Sequence, residues 1–188
     1  MEWRLESDEH GRPFGVTLGS RSKVYLSFTH SGNHVAAAAS VLGPIGIDIE
    51  QHRPGRDVCR LADMAFGLNE KTIVAAEGYS SFYRFWTLRE AVSKAAGVGM
   101  PMVIDGVDRF SSEPDQGYWQ SSDGHWLLAH FRLNDSVNIS LALDADHVPK
   151  LDHWSSSSVA WLDSVVIRKQ LGCSMTDRPI GQNRTSDA

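Results

Sequence analysis

Apolar and polar positions alternate strictly from Ile45 to Glu50. Ile45, Ile47 and Ile49 fall on one face of an extended chain, and Gly46, Asp48 and Glu50 on the other. This is the clearest strand in the sequence. Val24 to Thr29 alternates less strictly but carries β-branched and aromatic residues, and reads as a strand running into the turn residues His30-Ser31-Gly32-Asn33. His34 to Val41 is alanine-rich and fits helix or strand; its shortness and the Gly43-Pro44 stop favour a strand.

The period then changes. Val58, Leu61, Ala62 and Ala65 recur at helical spacing within Asp57 to Phe66, and Asn69-Glu70 opens a further helical stretch towards Ala76. Ser80 to Ala96 sets Phe82, Phe85, Trp86, Val92 and Ala96 at the period of a long helix, with Ser80 or Ser81 to cap its start and Gly97 to end it. Trp126 to Phe131 and Val137 to Leu143 predict a hairpin turning at Asn134-Asp135. Residues 1–22 are polar, with turn signals at Gly11-Arg12-Pro13 and Gly19-Ser20, and Ser111 to Asp123 reads as a polar loop. Val159 to Leu171 fits an amphipathic helix, and the polar run from Gly172 onward is expected to be disordered.

Composition narrows the function classes. The 188 residues, 41% hydrophobic and 22% charged, suit one domain with its own core. A net charge of −5 gives no general basic surface, so nucleic acid is not an expected partner. An anionic ligand would need a local cluster of cations. No run approaches the roughly 20 apolar residues of a membrane span, so no membrane partner is expected. Met1 to Glu6 is charged and lacks a signal-like apolar segment. Cys59 and Cys173 lie far apart without a metal or redox spacing, and two free thiols in a reducing cytoplasm are expected.

Three segments carry candidate chemistry. Asp48 and Glu50, two apart on a strand, point the same way, and like charges that close favour a cation between them. A small set of hard oxygen ligands suits magnesium. A solvated acidic strand face is the plainer explanation. Glu90 and Lys94 share one helical face, which a surface ion pair would explain, except that Trp86 starts the same stripe one turn earlier and suggests a partly buried cleft. His30 closes a strand before a small-residue turn, where it is able to donate to a phosphate oxygen or to bond backbone.

In order, the chain shows Gly11-Arg12-Pro13, Leu26-Ser27-Phe28-Thr29-His30, Gly46-Ile47-Asp48-Ile49-Glu50 and Trp86-Thr87-Leu88-Arg89-Glu90-Ala91-Val92-Ser93-Lys94-Ala95-Ala96-Gly97. This series resembles the signature blocks of the 4′-phosphopantetheinyl transferases, especially the Sfp type: a Gly-Lys-Pro-like element, Phe-Ser-x-Ser-His, Gly-(Val/Ile)-Asp-x-Glu, and Trp-x-x-Lys-Glu-Ala-x-x-Lys-x-x-Gly. The resemblance covers roughly Gly11 to Asp144. It implies an α+β fold of two similar halves with coenzyme A between them, the strand 45–50 opening the second half and the hairpin 126–143 closing it. The expected layout is one transferase-like domain over 1–146 (1–43 a partial first half, 44–146 the second), a C-terminal extension over 147–171 that fits a helix, and a disordered tail over 172–188.

The implied activity is that of a holo-[acyl-carrier-protein] synthase. The phosphopantetheine arm of coenzyme A passes to a serine of an acyl or peptidyl carrier protein, with magnesium, and 3′,5′-ADP leaves. Carried over by position, Asp48, Glu50 and Glu90 would hold magnesium. Lys94 would neutralise phosphate charge and Glu90 would take the serine proton. Arg12, His30, Arg89 and Lys94 would contact coenzyme A. Arg53, Arg56 and Arg60 would offer a docking patch to an acidic carrier, unless they only balance charge at a helix start. Arg89, Thr29 and Arg12 stand where the family has lysine, serine and lysine. Ten residues precede Gly11, where full-size Sfp-type members carry several tens, so the first half is expected to be incomplete. A truncated start, completion by a second copy in a homo-oligomer, and a weakened relative that binds carrier or coenzyme A without transfer all fit that shortness.

Overall fold

The computed structural model describes residues 2–17, 19, 22–99, 116–120, 125–144 and 166–169. Among them the chain is α+β, with two antiparallel sheets and three consecutive helices. The first sheet has strand order β1-β2-β3-β4-β9, from β1 (Trp3–Ser7), β2 (Pro13–Thr17), β3 (Lys23–Ser31), β4 (His34–Ser40) and β9 (Val166–Lys169). The second has order β5-β8-β7-β6, from β5 (Ile45–Gln51), β6 (Gln116–Gln120), β7 (Trp126–Asn134) and β8 (Val137–Asp144). Between β5 and β6 run α1 (Val58–Ala65), α2 (Leu68–Glu77) and α3 (Tyr79–Ala96). No helix among the described residues is long and apolar enough to cross a membrane.

Alternation in β5 places its two faces in different surroundings. Ile45, Ile47 and Ile49 join Leu127, Ala129, Ile139, Leu141 and Leu143 in one core, which Ala36 and Ala38 of β4 complete. The opposite face lies under α3, whose Phe82, Phe85, Leu88, Ala91, Val92 and Ala95 form a second core with α1, α2, Leu128 and Ala142. Burying apolar area on both faces, at about 25 cal/mol per Å², fixes the strand between two layers. Gly46 permits the close approach of α3: a Cβ there would collide with the carbonyl oxygen of Ala91 and reach within 2.8 Å of the Ala95 nitrogen.

The long helix begins and ends at glycines. Gly97 takes the left-handed conformation, φ 71°, and closes α3 as its sequence position predicts. The start differs from expectation. Gly78 is the N-cap, and Ser81 instead donates its hydroxyl to the Gly78 carbonyl, 3.2 Å.

Three stretches depart from the sequence reading. Residues 1–22 contain the hairpin β1–β2, whose Trp3 and Leu5 are exposed and so give no clear inward pattern. Within the expected loop 111–123, Gln116–Gln120 pairs with β7 as β6. The expected helix Val159 to Leu171 is overturned at its centre, because Val166–Lys169 pairs with His34–Ala37 of β4. A four-residue segment that opens with two β-branched residues, Val166 and Ile167, gains ladder hydrogen bonds beside a strand edge that outweigh a weak helical period. The rest of the C-terminal extension and the tail 172–188 lie outside the described residues.

A polar chain crosses the second core. The Thr87 and Ser140 hydroxyls lie 2.7 Å apart, and Ser140 lies 2.9 Å from Nδ1 of His130, a residue 2% exposed. Burial, helped by the charge of Arg84, pulls the His130 pKa from 6.5 down to about 3. The folded protein therefore keeps this ring neutral while the unfolded chain protonates it below pH 6.5. Its contribution is whole above that pH and is lost as pH falls towards 3. Between pH 6.5 and 5, wild type should lose about 2 kcal/mol more stability than His130→Gln, read by urea unfolding at each pH. Equal slopes would contradict the assignment.

Candidate active site at the seam of two sheets and a helix

Strand β5 is the last strand of its sheet, and its outer side meets β3 through side chains. Ser27, Thr29 and Ser31 alternate along β3 and face β5. Their hydroxyls accept hydrogen bonds from the backbone nitrogens of Ile47 (3.1 Å), Ile49 (3.3 Å) and Gln51 (3.0 Å). Two of these hydroxyls spend their proton on the acid pair. Thr29 donates to Oδ1 of Asp48 at 3.0 Å, and Ser31 donates to Oε2 of Glu50 at 2.9 Å.

Helix α3 supplies the opposing groups. With Gly46 beneath it, α3 lies close enough for Lys94 to donate to Oδ1 of Asp48, 2.6 Å, and to the Ile47 carbonyl, 3.1 Å. Glu90, one turn earlier, shares the field. Burial raises its pKa, Lys94 opposes the rise, and Glu50 adds to it. Burial likewise pushes the Asp48 carboxyl up to about 6, against the pull of Lys94 and Thr29. Three carboxylates thus face one ammonium in a partly desolvated place.

That imbalance bears on a metal. Among the described residues no group of three or more acidic, histidine or cysteine side chains forms a ready-made metal site. Lys94 holds Asp48 instead. The donor set nevertheless fits a small hard cation. The donors are carboxylate oxygens, and among the described residues their charge exceeds that of the one cation found beside them and Oδ2 of Asp48 is buried with no hydrogen-bond partner.

Beside Lys94 opens a cavity of about 410 Å³, lined by His10, Arg12, Phe28, Lys94, Gly97 and Val98 among others. Arg12 is fastened there by Asp8 (2.7 Å) and by donation to the Ala95 carbonyl, 2.6 Å, so the N-terminal segment is tied to the end of α3. Arg12 and Lys94, both named from the sequence, therefore share one concavity. His30 is exposed on the same face of β3 as Phe28, two residues further along, and does not line the cavity.

Arg89 goes elsewhere. It is 3% exposed and forks onto Glu70 of α2, with Nε to Oε1 at 3.1 Å and Nη2 to Oε2 at 2.6 Å. Glu70 also accepts from the Gly67 nitrogen that starts α2. The expected contact of Arg89 with coenzyme A is thus replaced by a buried ion pair joining two helices. The expected arginine patch divides in the same way. Arg53 and Arg60 are exposed, whereas Arg56 lies over the rings of Phe82, Tyr83 and Trp86.

Thr29 and Ser31, which touch the acid pair, are contacts that periodicity overlooked. Two signals pointed to them: the i, i+2, i+4 recurrence of hydroxyls at 27, 29 and 31, and the Leu26 to His30 block that contains Thr29.

Comparison with known proteins finds relatives that share one name. The 4′-phosphopantetheinyl transferase AcpT of Escherichia coli K12 is 28% identical over 161 residues, covering 84% of this chain and 72% of its own. AcpT of Salmonella typhi is 32% identical over 93 residues, 47% of each chain. A 4′-phosphopantetheinyl transferase of Bacillus subtilis is 27% identical over 121 residues, 62% of this chain and 51% of its own. The family model matches residues 44–148, from just before β5 to just after β8 and so across the acid pair, α3 and the second sheet; the chain belongs to the 4′-phosphopantetheinyl transferase superfamily.

Proposed function

We propose that this chain, an enzyme of that superfamily, transfers the phosphopantetheine arm of coenzyme A to a serine hydroxyl of an acyl or peptidyl carrier protein, with magnesium, and releases 3′,5′-ADP. The observation that supports it most is the contact of Asp48 with Lys94, which lines the cavity, with Glu50 and Glu90 in the same field.

The carrier serine attacks the β-phosphorus of coenzyme A. Such a transfer needs placement and charge neutralisation more than covalent help from the protein. Lys94 lines the cavity and is the cation nearest the acids, so it meets negative charge on the pyrophosphate. Arg12, anchored on the Ala95 carbonyl and lining the same cavity, meets phosphate or the adenosine end. Glu90 receives the serine proton, a step worth about 10²–10⁴-fold. Asp48 through its unpaired Oδ2, with Glu50 and Glu90, would hold magnesium. When bound, the ion supplies Lewis acidity and a template for phosphate oxygens. Exposed Arg53 and Arg60 at the start of α1 suit an acidic carrier. Free Cys59 and a coenzyme A substrate go with a cytoplasmic setting.

Incubation with coenzyme A, magnesium chloride and an apo-carrier protein should add about 340 Da to the carrier, the mass of one arm, as read by intact mass spectrometry. Chelation with EDTA should stop the gain. No gain on fatty-acid, polyketide or non-ribosomal carriers, with folded protein, would refute the proposal.

A further inference from the structure

Asp48 and Glu50 are held by more than their own strand. Each lies beside one hydroxyl of β3, and that hydroxyl is fixed at its other lone pair by the next backbone nitrogen of β5. Thr29 accepts from Ile49 and donates to Asp48; Ser31 accepts from Gln51 and donates to Glu50. Since a hydroxyl has a single proton, accepting from the backbone aims that proton at the carboxylate. Ser27 makes the backbone contact alone, to Ile47.

We infer that Thr29 and Ser31 are positioning residues, which orient the Asp48 and Glu50 carboxylates for a divalent cation by clamping one oxygen of each. The inference rests on the magnesium-dependent transfer proposed above. Thr29 and Lys94 both occupy Oδ1 of Asp48, which turns the buried Oδ2 into the free acceptor. Without the clamp the carboxylate would gain rotational freedom, and cation binding would have to remove it. Ser31 does the same at Glu50, which is only half-buried, so its effect is the smaller.

The test measures the cation directly and in turnover. Manganese binding is followed by electron paramagnetic resonance of the purified full chain, and transfer is measured against magnesium concentration. Thr29→Val should raise both the manganese dissociation constant and the magnesium half-saturation point about tenfold, the value of a hydrogen bond to a charged group. The coenzyme A KM at saturating magnesium should move less than about twofold, and Thr29→Ser should restore both cation constants. Ser31→Ala should shift the cation response about threefold and carries the test if Thr29→Val does not fold. Ser27→Ala removes only a backbone contact, so it should lower the melting temperature without weakening manganese. The positioning role is overturned if Thr29→Val binds manganese like wild type, if serine fails to restore it, or if Ser27→Ala weakens it equally. A wild type that transfers nothing and binds no manganese would bring down the proposed function and this inference together. An active wild type with an unshifted Thr29→Val brings down this inference alone.

Discussion

Replacing Asp48 with alanine should cut phosphopantetheine transfer by about 10³-fold or more while leaving the melting temperature unchanged or higher. The two halves of that expectation have separate causes. Activity falls because the substitution removes the buried carboxylate that faces the cavity cation and offers a free oxygen. Stability holds because the carboxylate is costly where it stands; burial has already pushed it up to about 6. Its partner can also do without it, since the Lys94 side chain is 31% exposed, whereas that of Asp48 is 8% exposed. The reciprocal change should therefore behave differently. Lys94→Ala leaves the acid buried without its cation and should cost about 1–3 kcal/mol as well as activity. Thermal denaturation beside a carrier-labelling assay checks both. Full activity in Asp48→Ala would remove this residue from the mechanism.

Gly46→Ala should be the most damaging single methyl in the described chain. The added carbon would meet backbone of α3 at Ala91 and Ala95, which cannot rotate aside as a side chain would. A loss of about 3–5 kcal/mol, or failure to fold, is expected. Any folded fraction should be poorly active, because α3 carries Lys94 and Glu90 towards Asp48. Gly99→Ala, whose added carbon meets nothing within 4 Å, is the control and should be near neutral. Equal melting temperatures for the two variants would mean that α3 does not lie on β5 as described.

The same glycine shows how far the sequence alone could lead. Strict alternation in 45–50 located β5 and assigned its faces, because a strand buried on both sides has no other way to arrange three isoleucines and two acids. Gly97 ended α3 where predicted, since only a residue tolerant of positive φ closes a helix that way. Asp48 and Lys94 were found as chemistry-bearing residues, and the structure brings them into contact. Arg89 could not be read. It neighbours Glu90 in sequence, but one step around a helix is about 100°, so it faces another partner, and that partner, Glu70, lies on a different helix. Hairpin β1–β2 was missed because exposed strands bury too little to impose alternation. The hydroxyl contacts between β3 and β5 join residues 20 apart in sequence through different sheets, a distance over which no periodic pattern speaks.

Those three hydroxyls have one more consequence. A terminal strand of a sheet normally presents bare N–H groups to solution and invites a stranger's backbone to add itself. Along β5 the nitrogens of Ile47, Ile49 and Gln51 are already taken by Ser27, Thr29 and Ser31, so these three donors are closed to an added strand. Refolding at high concentration should then be safe in the native chain and prone to precipitation once the serine and threonine are stripped away. The hydroxyls that touch the acid pair also shield the outer edge of its strand from other chains.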